Sequence, residues 1–256
     1  MENAVIVGTY QFIGFQLCRS LLEDGETVYG VSFPNTILED SEDKQLEIGR
    51  NANYEEICWE EKFLFSSGKI IYDCYDLLNS KKKIDEIKSD LQKESNIQEL
   101  IQKKHELIFL GNVLDFAYHE KELFPVLKKL GLPFRSIYYP TVYGPWQPKE
   151  FLFVQLLEDS DDIQMSEMEF KDDAIFIDDA AAVTKKLIME TSETYLFLKS
   201  GIKNHWIQGK KAIKEFPVKI PSYHISSRLK SYKVDNKNNI ADNLEMQRRH
   251  IKMYKW

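Results

Sequence analysis

Ala4-Val5-Ile6-Val7 runs directly into G-T-Y-Q-F-I-G, Gly8 to Gly14, and this junction constrains the fold more than any other feature of the chain. A short, uninterrupted apolar run suits a strand covered on both faces. After the turn, Phe12, Ile13, Leu17, Leu21 and Leu22 fall at helical spacing, and Gly25 stands where a helix ends in a left-handed residue. Thr27 to Val31 is a second β-rich run. Strand, helix and strand at this spacing form a βαβ unit, which calls for two parallel strands and a right-handed crossover.

The alternation continues along the chain. Lys69 to Tyr72, Leu107 to Leu110, Phe134 to Tyr138, Ala174 to Ile177 and Thr194 to Leu198 read as strands. Ile84, Ile87, Leu91, Ile97, Leu100 and Ile101 line one or two helices. Asp115 to Leu130 reads as a helix stopped by Gly131 and Pro133, Asp178 to Met189 as another, and the tail Ile240 to Trp256 has helical spacing. Asn35 to Ser67 is too polar and its apolar residues too scattered to assign. The class is α/β.

Composition removes several functions. Acidic residues outnumber basic ones 41 to 34, a net charge of −7, so the basic footprint of a nucleic-acid binder is missing, as is a polybasic face for a membrane. No apolar run approaches a bilayer span. The N-terminus enters a strand without a charged signal-like region, and Cys18, Cys58 and Cys74 lack metal-ligand spacing. The expectation is a cytoplasmic globular protein with reduced thiols, no metal, and neither nucleic acid nor membrane as partner.

The turn is the strongest chemical signal. A helix N-terminus presents unpaired N–H groups and about half a positive charge, so it can hold a pyrophosphate. Gly8 suits the tight turn and Gly14 suits close helix–strand packing. Gln11 occupies the middle position, where dinucleotide sites use glycine for close approach. A phosphate cradle and a ligand-free tight turn both fit. Pro140 to Pro148 forms a Gly/Pro/aromatic loop beyond the end of the strand Phe134 to Tyr138, the edge where open α/β sheets bind ligands.

Other features read as structural. Lys81-Lys82-Lys83 looks like a solvated helix start rather than a phosphate site, because acidic residues follow. His105, His119, His205, His224 and His250 show no ligand pairing. Asp178-Asp179 reads as a helix N-cap. The acidic stretches Glu158 to Asp162 and Glu167 to Asp173 read as solvated faces.

Three blocks carry a family likeness: Val7 to Val31, Gly131 to Pro148 (G-L-P-F-R-S-I-Y-Y-P-T-V-Y-G-P-W-Q-P), and Ala174 to Val183 (A-I-F-I-D-D-A-A-A-V). Together they resemble the extended short-chain dehydrogenase/reductase family, also called the NAD-dependent epimerase/dehydratase family. The likeness spans most of the chain except Asn35 to Ser67. It implies a doubly wound parallel sheet of Rossmann type with a small C-terminal substrate lobe. We expect residues 1–145 with 171–200 in the Rossmann part, and 146–170 with 201–256 in the lobe. It also implies NAD or NADP, a nucleotide-sugar or similar small ligand, and a catalytic Tyr-x-x-x-Lys pair beside a Ser or Thr. A homodimer is compatible with it. Carried over by position, Gly8, Tyr10, Gln11, Phe12, Ile13, Gly14, Ser32, Pro140 and Val142 would face the cofactor. Asn112, Tyr143 and Trp146 would face the substrate.

The chain departs from the pattern at the catalytic centre. Gly111 and Asn112 stand where the family has serines, and the family tyrosine would fall near Gly111. The only substitute is Tyr118-His119-Glu120-Lys121, one residue short, so Tyr118 and Lys121 are the candidate catalytic pair beside the reading of an ordinary helix start. Ser32 stands where an NAD-selective acid usually binds ribose. Two functions remain open. One is an NAD(P)-binding epimerase/dehydratase-like or reductase-like protein with a degenerate site, acting on a sugar-like or small alcohol/carbonyl substrate. The other is a non-catalytic binding or regulatory protein. Cofactor binding should be weak in both.

Overall fold

The computed structural model describes residues 3–36, 38–65, 68–77 and 80–254. Its main sheet has eight parallel strands: β1 (Asn3–Val7), β2 (Thr27–Val31), β3 (Tyr54–Glu56), β4 (Lys69–Cys74), β5 (Glu106–Asn112), β6 (Phe134–Tyr139), β9 (Tyr195–Ser200) and β10 (Lys230–Val234). Their order is β10-β9-β6-β5-β4-β1-β2-β3. The chain runs outward from β1 to β3, then returns to place β4 on the other side of β1. The C-terminal ends of β1 and β4 therefore flank a topological switch point.

The inner strands are apolar on both faces because helices cover both. Side chains alternate across a strand, so Ile6, Ile71, Ile108 and Ile137 point to one side. There they meet α1 (Phe12–Glu23) and α8 (Ile177–Glu190). Val5, Ile70, Leu107 and Phe109 point to the other side, toward α3 (Ser80–Leu91), α4 (Glu94–Gln102), α5 (Phe116–Glu122) and α6 (Phe124–Lys129). A two-stranded parallel sheet, β7 (Thr141–Tyr143) with β8 (Ala174–Phe176), sits apart from the main one. The remaining helices are α7 (Leu152–Leu157), α9 (His205–Ile213) and α10 (Ile240–Tyr254).

The structure corrects the sequence reading in several places. Asn35 to Ser67 contains α2 (Ser41–Ile48) and the short strand β3; Ser66 and Ser67 lie outside the described residues. The helix expected over Asp115 to Leu130 is broken at Leu123, with Pro125 in the first turn of α6. Proline removes an N–H and crowds the carbonyl four residues back, which ends α5. Asp178 and Asp179 are not the N-cap of α8. Phe176 is, and the two carboxylates sit in the first turn, accepting from Gln16 Nε2 (2.7 Å) and Lys237 N (3.3 Å). Residues 201–256 do not serve the lobe alone, since β10 extends the main sheet. The tail helix ends at Tyr254; Lys255 and Trp256 lie outside the described residues. Among the described residues, no helix is long and apolar enough to cross a membrane.

Candidate functional site

Gly8 adopts φ +86°, a region closed to most side chains, and a Cβ there would come within 2.8 Å of Phe33 Cε2. Gly14 lies so near β1 that a Cβ would collide with the Gly8 carbonyl oxygen. Both glycines thus stand where the chain's own packing requires them. Thr9 closes the turn: its hydroxyl donates to Ile6 O (2.6 Å) and accepts from Val31 N (3.0 Å).

The first amides of α1 are already occupied. Phe12 N donates to Asp76 Oδ2 (3.2 Å), and Gly14 N donates to Asp73 Oδ2 (2.5 Å). The other Asp73 oxygen accepts from Tyr75 N (3.0 Å). Asp73 is 0% exposed and Asp76 is 9% exposed. Burial pushes the Asp73 carboxyl well above the usual carboxylate range, with the Asp76 charge adding, while amides of Tyr75, Gly14 and Ile13 pull it back. Burial likewise raises Asp76, opposed by Lys44. Ionised or protonated, these two side chains fill the N-terminus that a pyrophosphate would need.

The neighbours complete that closure. Gln11 is buried and caps no helix amide; its Cγ lies 3.1 Å from where a Gly8 Cβ would stand, and its Oε1 has no partner. Lys44 Nζ is buried and reaches back to Tyr10 O (2.8 Å) and Asp40 (2.7 Å). Gly8, Tyr10, Gln11 and Ser32 do line one small cavity of about 180 Å³, shared with Phe33 and Glu56. Pro140 and Val142 are buried; the Tyr75 hydroxyl donates to Pro140 O (3.1 Å) and accepts from Val142 N (2.7 Å), and Val142 O accepts from Gln147 Nε2 (2.7 Å). The residues present therefore do not fit a dinucleotide.

The positions expected to do chemistry are scattered. Tyr118 OH touches Lys81 O at 3.5 Å, and Lys121 is 82% exposed beside Glu122. The structure does not pair them, and neither lines the cavities of the cleft. Gly111 has no room for a side chain: a Cβ would lie 2.9 Å from the Tyr138 ring, which His119 Nδ1 holds at its hydroxyl (2.8 Å). Asn112 lines the cleft but is committed at both ends, donating to Met168 O (2.6 Å) and accepting from Leu114 N (3.0 Å). Tyr143 is buried against His205 Nε2 (3.1 Å) and Asn243 (3.4 Å), away from the cleft. Trp146 does face the cleft.

Two cavities make up that cleft, about 970 Å³ and about 350 Å³, and they share Lys149, Glu150 and Glu158. The larger holds Asn112 and Asp115, whose carboxyl burial pushes up to about 6 against the pull of Lys81. The smaller holds Tyr10, Lys44, Asp76, Trp146 and residues of α10. Sequence reasoning missed Asp73, Asp76, Lys44 and Asp115. A signal for the first two existed: Y-D-C-Y-D places two carboxylates at the C-terminal end of a strand beside β1. Among the described residues, no His/Cys/Asp/Glu group could hold a metal.

No protein-family model matches the chain, and no curated protein matches it. Solved structures do. UDP-glucuronic acid 4-epimerase from Bacillus cereus, in complex with a UDP-sugar and NAD, is 14% identical, covering 99% of this chain and 100% of that one, with a TM-score of 0.71. dTDP-glucose 4,6-dehydratase from Bacillus anthracis, in complex with NAD, is 12% identical over 100% and 98%, with a TM-score of 0.68. UDP-glucose 4-epimerase from Thermotoga maritima, with UDP-glucose, is 16% identical over 98% and 99%, with a TM-score of 0.63. The chain has the fold of the NAD-dependent sugar epimerases and dehydratases, the fold that the resemblance to extended short-chain dehydrogenases implies.

Proposed function

We propose that this chain is a non-catalytic protein of the epimerase/dehydratase fold, which binds a small molecule in the cleft under its lobe and does not use a nicotinamide cofactor. The observation that carries this reading is the occupation of the α1 N-terminus by Asp73 and Asp76. A pyrophosphate brought there would have to displace two buried carboxyls, and any charge they carry would repel it. Among the described residues, no tyrosine and lysine side chains are hydrogen-bonded to each other in the cleft. Tyr118 and Lys121 stand apart on the surface of α5, and Asn112 is bonded at both ends. Losing general acid–base help alone costs about 10²–10⁴-fold.

Ligand binding is supported by the cleft itself. Each of its halves falls in the range of small-molecule sites, about 300–1,000 Å³. It opens at the C-terminal ends of β5 and β7, where ligands of open α/β sheets sit. In this reading, residues 1–145 with 171–200 are the scaffold, and 146–170 with 201–256 mainly close the cleft.

Titration calorimetry of NAD⁺, NADH, NADP⁺ and NADPH into the full chain tests the reading. Affinities weaker than about 1 mM are expected for all four, a binding free energy of only about −4 kcal/mol. A micromolar affinity for any of them overturns it, as does turnover of UDP-glucose, UDP-glucuronic acid or dTDP-glucose in the presence of NAD⁺.

A further inference from the structure

We infer that the smaller half of the cleft takes an organic ammonium ion, a small amine carrying a hydrogen-bond acceptor, in place of a nucleotide. This inference rests on the non-catalytic reading, because it uses groups that a bound dinucleotide would displace.

Charge points to the sign of the ligand. Five carboxylates, Asp76 and Glu150 among them, line this cavity against two lysines. Both lysines are already matched: Lys44 by Asp40 and the Tyr10 carbonyl, Lys149 by Glu39 at 2.6 Å. The surplus is negative. The larger half has the same sign, with five carboxylates against three lysines. A nucleoside diphosphate would meet net repulsion in both halves, whereas a cation would be drawn in.

Unpaired groups point to what the ligand offers. Asp76 Oδ1 and Gln247 Oε1 are acceptors without a hydrogen-bond partner, on side chains 9% and 1% exposed that line this cavity. Orphaned acceptors at such burial are uncommon and costly, and, since neither oxygen is itself exposed to the cavity, ammonium N–H groups would satisfy them after a small turn of each side chain. Trp146 Nε1 is a buried donor in the same state, which calls for an acceptor such as a hydroxyl on the ligand. Gln247 is held for the task, since its Nε2 donates to Gln147 Oε1 (2.7 Å).

The aromatic wall suits a cation as well. Trp146 has φ +66°, a backbone region that bulky residues avoid, so its placement is imposed by the surroundings. Its ring packs at 4.4 Å from both His250 and Tyr254. Lys44 Nζ sits 5.5 Å from the Trp146 ring centroid and 5.7 Å from that of Phe15. The site already accommodates one ammonium against aromatic faces, the arrangement that recognises such ions elsewhere.

The test compares glucosamine and ethanolamine with glucose, which has the sugar ring without the charge. Titration calorimetry on the full chain should show submillimolar binding of at least one amine, and at least about tenfold weaker binding of glucose. Asp76→Asn should weaken amine binding by about tenfold. Glu150 is only half-buried, so Glu150→Gln gives the same reading, with a smaller loss, if Asp76→Asn does not fold. The inference fails if neither amine binds, if glucose binds equally well, or if folded variants bind the amine unchanged. NAD⁺ titrated alongside separates the two failures. Binding of NAD⁺ sinks the non-catalytic reading, whereas silence from NAD⁺ and both amines sinks only this one.

Discussion

The N-terminus of α1 and the end of β5 depart from the epimerase/dehydratase pattern in different ways. At α1 the backbone is kept and the ligand chemistry replaced: Gly8 and Gly14 hold the expected turn, yet Asp73 and Asp76 sit on the amides. At β5 the candidate tyrosine and lysine, Tyr118 and Lys121, stand outside the cleft. The helix that should carry a tyrosine and a lysine begins only at Phe116, and Tyr138 fills the space over Gly111. Glycines required by helix–strand packing persist whether or not a ligand binds. A catalytic helix has no such second duty and can be lost.

The largest expected effect follows directly. Gly14→Ala should destabilise the protein by about 3 kcal/mol in chemical denaturation, because the added methyl would meet the Gly8 backbone oxygen. If the glycine served only a lost ligand, the variant would be as stable as the parent, and the contrast between the two regions would collapse.

A second variant separates backbone from chemistry. Asp73→Ala with Asp76→Ala uncovers the α1 amides and removes the bonds to them, at a cost of about 2 kcal/mol. Inorganic pyrophosphate should then raise the melting temperature of the variant and leave the parent unmoved. An equal response in both proteins would mean that α1 is not where the anion binds.

The contrast also explains what could be read from sequence. Gly8 and Gly14 were legible because their constraint is local, within one βαβ unit. Asp73 was not, because its partner Gly14 is 59 residues away and a strand reading gives no reason to extend past Tyr72. Helix α2 escaped for a different reason. It buries Lys44 and Ile48 instead of an apolar stripe, so its periodicity carries no hydrophobic signal. β10, K-S-Y-K-V, is an edge strand that mostly exposes its side chains, which suits a sheet edge and hides it among loops. The candidate cleft was half legible. The loop at Pro140 to Pro148 pointed to it, while its acidic lining comes from segments far apart in the chain.

The smallest effect asks whether α1 is unique in being held by a buried carboxyl. Glu169 does the same at α7, accepting from Leu152 N at 2.9 Å, and burial pushes its carboxyl up to about 7. A carboxyl raised on folding contributes stability that is fully present below its unfolded value, near 4.3, and is lost as pH rises through its folded value. The loss for Glu169 therefore runs from about pH 4.3 to about pH 7, with its tail between pH 6.5 and 8. Between pH 6.5 and 8 the buried His119 and His205 and the half-buried His250, all lowered to about 4 by burial, stay neutral in the folded protein but lose their protons in the unfolded one, and together add a slope of opposite sign worth about 1 kcal/mol. Denaturation free energy should fall by about 1 kcal/mol from pH 6.5 to 8 on account of this one group. Glu169→Gln keeps the hydrogen bond to Leu152 and should remove that part of the slope. If the slope survives unchanged, Glu169 is ionised throughout and the raised carboxyls belong elsewhere, with the Asp73–Asp76 pair as the next group to replace.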